Sequence, residues 1–358
     1  MGVSPLFFRV YGGIMDFNLF SKLTQTPAAS GREELLAQEV IKQIEPYCDK
    51  IHTDPIGNII ARKKGLGGKK IMLAAHLDEV ALKVRYIDDK GFIYFVLTGG
   101  IDPRTLLSQR VLIQTKTGEM LRGVIGAKAA HYLTAADKAA GIDALSLCID
   151  TGFSAQEAQE KINIGDPVVL DRTAVEFGGD LISSKAIDDR AGVYILIELI
   201  KKLPKEHKND LYFVFTVQEE FGLIGAQCAA FEVRPDYGIA VDTTGALDVA
   251  GMSAQNYVVS VGKGIGITLS DSTTIADKDL SDKFIEICKN KNIPFQLRVA
   301  ARGSNDAKVI QRSAGPVKAI ALSVPVRYIH SNVETASKQD IDAGYDLLLN
   351  FLTEGYDK

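Results

Sequence analysis

The chain has 358 residues, 46% of them hydrophobic and 24% charged, with 41 basic against 45 acidic side chains and a net charge of −4. That is the composition of a soluble globular protein, and at roughly 150 residues per domain it is too long for one ordinary core. With no basic block, and no apolar run near the roughly 20 residues of a membrane span, nothing favours nucleic acid or a membrane as partner.

The opening MGVSPLFFRVYGGIMDFNLF lacks a basic leader region, and Arg9 and Gly12-Gly13 interrupt its apolar run, so it is a poor signal peptide. Met15 reads as the natural start, leaving residues 1–14 as an extension without structural role. Asp16 to Ile44 carries two helical stretches split by Pro-Ala-Ala-Ser-Gly. The second starts after Ser30, with Glu33 and Glu34 in the first turn, where the helix dipole favours negative charge. NIIARKKG and KKIMLAAHLDEV follow, the latter a continuous apolar run with a polar end, as a buried parallel strand has. From about Ala81 to Gly178 short alternating strands, bounded by Gly, Asp and Asn, predict a compact β-rich module. Then come a helix from Arg190 to Leu203, the strand LYFVFTV, the strand YGIAVDTT, a helix in SDKFIEICKNKN, the strand KAIALSVP and a helix from Gln339 to Leu352. The four cysteines, Cys48, Cys148, Cys228 and Cys288, lie far apart without C-x-x-C spacing; they read as buried hydrophobes of a reducing compartment and point to the cytoplasm.

Strand–helix alternation predicts an α/β fold with a mainly parallel sheet sandwiched by helices. Residues 1–79 and 179–358 form its main domain, and residues 80–178 an inserted β-rich, barrel-like one. Ligands of such a sheet sit beyond the carboxyl ends of its strands. There the predicted strands deliver His76, Asp78 and Glu79; Glu219 and Glu220; Asp242; and His330, while Asp188 and Asp189 open the facing helix. Each has a local reading, such as a helix cap for Asp188-Asp189 or an Asx-turn for Asp242. Together they are a concentration of negative charge that a divalent cation would neutralise. Imidazole and carboxylate without thiolate suits Zn²⁺, Co²⁺ or Mn²⁺. Five candidate ligands suit two ions, with one His and one terminal carboxylate each and a bridging Asp, holding a shared water. Neighbouring side chains on a strand point to opposite faces, so of Glu219 and Glu220 one can bind metal and the other take a proton.

AAHLDEV, SSKAIDDRAGV, VQEEFGLIGA, VDTT and RYIHSNVE, in that order, resemble the dinuclear-metal aminopeptidases that include the glutamyl, deblocking and tetrahedral (TET) aminopeptidases, some of them labelled endoglucanases. The similarity runs from about Met15 to the C-terminus, through ASGREE, GGIDPRTLLSQRV and GVIGA. It implies a zinc exopeptidase-like fold and removal of the N-terminal residue from short peptides with a free N-terminus, through a water between two metal ions. By the resemblance His76 and Asp242 bind one ion, Glu220 and His330 the other, and Asp188 bridges. Glu219 is the general base, Asp78 holds His76, and the Asp188–Asp189 peptide is cis. The inserted module serves a homo-oligomer, the family's twelve-subunit tetrahedral shell. RGSNDAK (302–308) stands where Gly-Thr-Asp-Ala is more usual. Asp306 matches and is assigned to substrate binding; Asn305 does not, so the side-chain preference does not carry over. His131 matches a family segment but lies in the inserted module and receives no catalytic role.

Two rivals use the same residues. A glycosidase needs two carboxylates flanking a bond, roughly 5–5.5 or 6.5–9.5 Å apart, which adjacent glutamates do not provide. It would also leave both histidines idle, and a chain without Trp lacks the usual sugar platform. A catalytically inactive shell protein would have lost a ligand or the base, and none is missing. No G-x-S-x-G or P-loop spacing supports another chemistry.

Overall fold

The computed structural model describes residues 15–358, so the expected extension at 1–14 lies outside the described residues. Two helices, α1 (Phe17–Gln25) and α2 (Glu34–Ile44), precede strands β1 (Lys50–Thr53), β2 (Ile59–Lys63) and β3 (Lys70–His76). The next six strands are β4 (Ala81–Ile87), β5 (Ile93–Thr98), β6 (Gln109–Gln114), β7 (Met120–Ile125), β8 (Cys148–Asp150) and β9 (Pro167–Leu170), with short helices α3 (Ala135–Ala139) and α4 (Ala155–Lys161) between them. The hairpin β10 (Val175–Phe177) and β11 (Leu181–Ser184) leads into α5 (Ile187–Lys202), β12 (Asp210–Thr216), α6 (Ile224–Val233) and β13 (Tyr237–Gly245). The remainder is β14 (Ile265–Ser270), α7 (Lys278–Lys291), β15 (Phe295–Val299), α8 (Ala307–Ile310), β16 (Lys318–Val326), β17 (Glu334–Ser337) and α9 (Lys338–Glu354).

Strands from both ends of the chain build one eight-stranded sheet in the order β1-β2-β12-β3-β13-β16-β14-β15. It is mixed rather than mainly parallel. The centre, β12-β3-β13-β16, is parallel, whereas β2 runs antiparallel to both β12 and its hairpin partner β1, and β14 runs antiparallel to β16. A hairpin reverses direction by construction, and the apolar patterning that marks a buried strand does not record which way its neighbour runs. Alternation divides the two faces: Ile71, Leu73 and Ala75 pack with α1, α2, α5, α7 and α9, while Met72 and Ala74 pack with α6 and α8. β4 to β9 close into a six-stranded barrel around its own core, including Phe95, Val111 and Ile149. β10, β11 and β17 form a separate small sheet. Among the described residues no helix is long and apolar enough to cross a membrane.

Two predicted helix starts move for a shared reason. Ser30 does not cap α2: its hydroxyl donates to Asp78 Oδ2 at 2.6 Å, and α2 begins at Glu34. Glu33 turns inward, buried, and accepts the amides of Gly31 and Gln218 at 2.7 and 3.1 Å. α5 begins at Ile187 rather than Arg190, but Asp188 and Asp189 within it are not helical. The site recruits these side chains and removes them from the roles that local propensity assigns. α5 also approaches β13 closely, because a Cβ on Gly192 would stand 2.4 Å from the Val241 carbonyl oxygen and within 2.6 Å of both Asp189 carboxylate oxygens. Gly192→Ala must therefore separate helix from sheet, and we expect a loss of about 1–3 kcal/mol, read as a lowered midpoint in urea unfolding.

Candidate metal centre

The carboxyl ends of the central strands and the start of α5 meet at one cleft of about 760 Å³, lined by His76, Asp188, Glu219, Glu220, Asp242 and His330 among others. His76 is the last residue of β3 and lies opposite Thr216, the last of β12. Gln218 enters the left-handed region (φ 57°), turning the chain so that Glu219 and Glu220 follow the strand end. Asp78 holds that turn: its Oδ1 accepts the Glu219 amide at 2.9 Å and its Oδ2 the Glu220 amide at 3.1 Å, beside the Ser30 hydroxyl. Burial pushes Asp78 up, but His76, Ser30 and the Glu219 amide outweigh burial and hold it below the usual carboxylate range. His76 Nδ1 lies 3.0 Å from the Asp78 carbonyl and 3.6 Å from its carboxylate. The carbonyl is thus the closer acceptor, and the carboxylate acts chiefly on the backbone of the two glutamates.

Asp188 stands between the two imidazoles. Its Oδ1 is 3.2 Å from His76 Nε2 and its Oδ2 is 3.3 Å from His330 Nε2. Asp242 Oδ1 is 3.8 Å from His76 Nε2, and Glu220 Oε1 is 3.2 Å from His330 Nε2. Two donor groups result, His76/Asp188/Asp242 and Asp188/Glu220/His330, each with its ligand atoms within 4.8 Å of one another; a third joins His76 to Glu219 and Glu220. The Asp188–Asp189 peptide is cis, as the resemblance implied. Asp189 turns beneath the site and accepts the amides of His76 (3.2 Å) and Gly192 (2.9 Å).

His76, Asp78, Asp188, Glu219, Glu220, Asp242 and His330 are therefore brought to one place, whereas Asp306 does not line the cleft. Asp306 lies beneath the cleft, buried, accepting the Thr216 hydroxyl at 2.7 Å. His131 is exposed in a short turn beside Tyr132. Sequence reasoning missed Glu334 and Lys185, and it placed Glu79 among the rim acids although Glu79 lies in a buried ion pair outside the donor groups. Glu334 is buried; its two oxygens accept the amides of His330 (2.7 Å) and Asp188 (2.9 Å), one from each side of the site. Its signal was its place within RYIHSNVE, four residues after His330. Glu79 pairs with Lys185 Nζ at 2.6 Å, both fully enclosed, with Arg190 at 3.5 Å. Arg190 also donates to the carbonyls of Leu23, Leu77 and Asp78.

The charge is that of a cation site. Burial and the neighbouring Asp188 push Asp242 up to about 8. Burial drives Glu219 well above its ordinary value, with Asp242, Asp306 and Glu220 adding to it against His76. Burial opposes charge on His330, yet Asp188 and Glu220 overcome it and raise the imidazole to about 12. In isolation the cluster resolves its repulsion by holding protons. A divalent ion would replace them, and imidazole with carboxylate oxygen is the donor set that such ions take. Below pH 8 Asp242 must lose a proton before it can ligate. Metal affinity should accordingly rise with pH until about 8 and flatten above it as far as Asp242 is concerned. Calorimetry in buffers of different ionisation enthalpy should find more protons released per ion at about pH 6.5 than at about pH 9.

Comparison with known proteins bears on the same residues. The family model of the M42 glutamyl aminopeptidases matches residues 57–347. The chain is 33% identical to the lysyl aminopeptidase of Pyrococcus furiosus over 95% of its length and 98% of that protein. It is similar to the structure of aminopeptidase APDkam598 from Desulfurococcus kamchatkensis (TM-score 0.90, 38% identity, 94% of each chain). It is also similar to the TET1 peptidase of Pyrococcus horikoshii, described as able to assemble into a tetrahedron or a large octahedral shell (TM-score 0.86, 35% identity, 95% of this chain and 99% of that one).

Proposed function

The chain belongs to the M42 glutamyl aminopeptidase family, and on that premise we propose that it is a metal-dependent aminopeptidase that hydrolyses the N-terminal residue from short peptides. The observation that carries this reading is the shared carboxylate: Asp188 offers one oxygen to each of two imidazoles, with Asp242 and Glu220 completing a donor group on either side. His76, Asp188 and Asp242 would hold one ion and Asp188, Glu220 and His330 a second, zinc by preference, with cobalt or manganese as alternatives. Bound divalent ions supply an acidified water and polarise the scissile carbonyl. Glu219, the neighbour of a ligand but outside both of these one-imidazole groups, takes the proton of the attacking water and passes it to the leaving amine. Asp78 sets the position of both glutamates through their amides. Adjacent glutamates sharing one cluster with His76 argue against a glycosidase pair, which must reach across a sugar bond.

Of the expected main domain (1–79 and 179–358), the described residues 15–79 and 179–358 make the catalytic unit, of zinc exopeptidase-like α/β type, and residues 80–178 the assembly module. The likeness to TET1 supports a closed tetrahedral homo-oligomer. Four free thiols fit a reducing, cytoplasmic setting. Asp306 reaches substrate only through the loop above it, so it supports the pocket rather than lining it.

Amino-acid release from peptides with free and acetylated N-termini, before and after chelation and metal return, tests the function. Release from free N-termini only, lost on chelation and restored by metal, is expected; release from acetylated peptides at the same rate would overturn exopeptidase action. Glu219→Gln should keep its metal content by atomic absorption while turnover falls about 10²–10⁴-fold. Near-normal turnover would remove Glu219 from the proton-transfer role.

A further inference from the structure

The segment GGIDPRTLLSQRV is shared with the family yet left idle by the chemistry above, and it reaches the metal centre from the barrel. Gly99 and Gly100 follow β5, and Ile101 is locked into the barrel core with its amide bonded to the Gly99 carbonyl at 3.1 Å. The Gly100 carbonyl then accepts Nδ1–H of His330 at 3.1 Å. A side chain at this turn would press on its neighbours. A Cβ on Gly100 would stand 3.0 Å from His330 Nδ1, and one on Gly99 would meet Val80 at 2.7 Å and Glu220 Oε2 at 3.3 Å. Gly99 also has φ 85°, a conformation that favours glycine. A second tie lies alongside: Gln109, the first residue of β6, accepts the side-chain amide of Asn332, two residues beyond His330.

The two polar side chains that face this turn, His330 and Glu220, belong to one donor group. The matching outer bond of His76 comes instead from Asp78, at the end of the sheet's own strand. His330 has left-handed backbone (φ 61°) in an irregular loop, so no regular element aims its ring. We propose that the Gly99–Gly100 turn is a positioning element of the metal centre: the barrel, through the Gly100 carbonyl, fixes the tautomer and aim of His330 and so completes one of the two donor groups. An acceptor on Nδ1 leaves Nε2 free to face an ion, and loss of such an outer partner costs about 10–100-fold in metal affinity. The inference rests on the two-ion reading above.

Cobalt titration of the metal-stripped full chain, followed by visible absorption and calorimetry, tests it. The unaltered chain should take two ions in separable steps. Gly100→Ala should weaken one step about 10–100-fold and leave the other in place. Gln109→Ala puts no new atom beside the ring, so it serves should Gly100→Ala fail to fold, and it should weaken the same step less. Unchanged steps in the folded variants, or equal loss in both steps, would overturn the positioning role. An unaltered chain that takes fewer than two ions would remove the two-ion reading and this inference with it, a failure visible before any variant is made.

Discussion

Asp188 must present one carboxylate oxygen to His76 and the other to His330 at 3.2 and 3.3 Å, and much of the surrounding structure serves that requirement. A side chain on a regular helix cannot be aimed so, and the first turn of α5 departs from helical geometry at Asp188 and Asp189, preceded by Ala186 in the left-handed region. Such backbone persists only where its surroundings over-determine it. Here Glu334 binds the Asp188 amide on one side, and Asp189 spans from the His76 amide to the Gly192 amide on the other. The glycine at 192 lets helix and sheet close to the distance that this arrangement needs.

Beneath the centre lies a second, fully enclosed set of charges, Glu79, Lys185 and Arg190. Buried ion pairs of this kind add little net stability, because desolvation consumes most of the attraction; removing one partner, however, costs about 3–5 kcal/mol. Their value is positional. Glu79 follows Asp78 directly and takes the Ala28 amide at 3.1 Å, and Arg190 clamps the carbonyls of Leu77 and Asp78. The segment leaving β3 is therefore fastened from both sides, and with it the carboxylate that sets the Glu219-Glu220 turn.

The barrel is inserted directly after this segment, and its placement has a chemical consequence. It returns at Gly99–Gly100 to the far side of the centre, where the sheet supplies no regular element to hold His330. One donor group is thus framed within the sheet and the other between sheet and barrel, so the two halves of the centre differ in what keeps them in shape.

Much of this was legible in the residues. Apolar runs leading to His76, Glu219 and Asp242 mark core strands whose ends share an edge, and acids concentrated there point to a cation, because so much buried negative charge is costly without a counter-ion. Ordered motifs carried the family, and short alternating strands between Ala81 and Gly178 carried the inserted β module. What the sequence could not determine were strand direction at the sheet margins and the diversion of the Ser30 and Glu33 side chains from the start of α2 to Asp78 and Gln218. Nor could it determine the buried partners Glu334, Lys185 and Arg190, or the contact of Gly100 with His330. Most of these depend on contacts between distant segments, from 48 positions apart for Ser30 and Asp78 to 230 for Gly100 and His330. Local propensity and spacing are short-range; which oxygen meets which nitrogen is decided only when distant segments pack, and there the tertiary structure alone could speak.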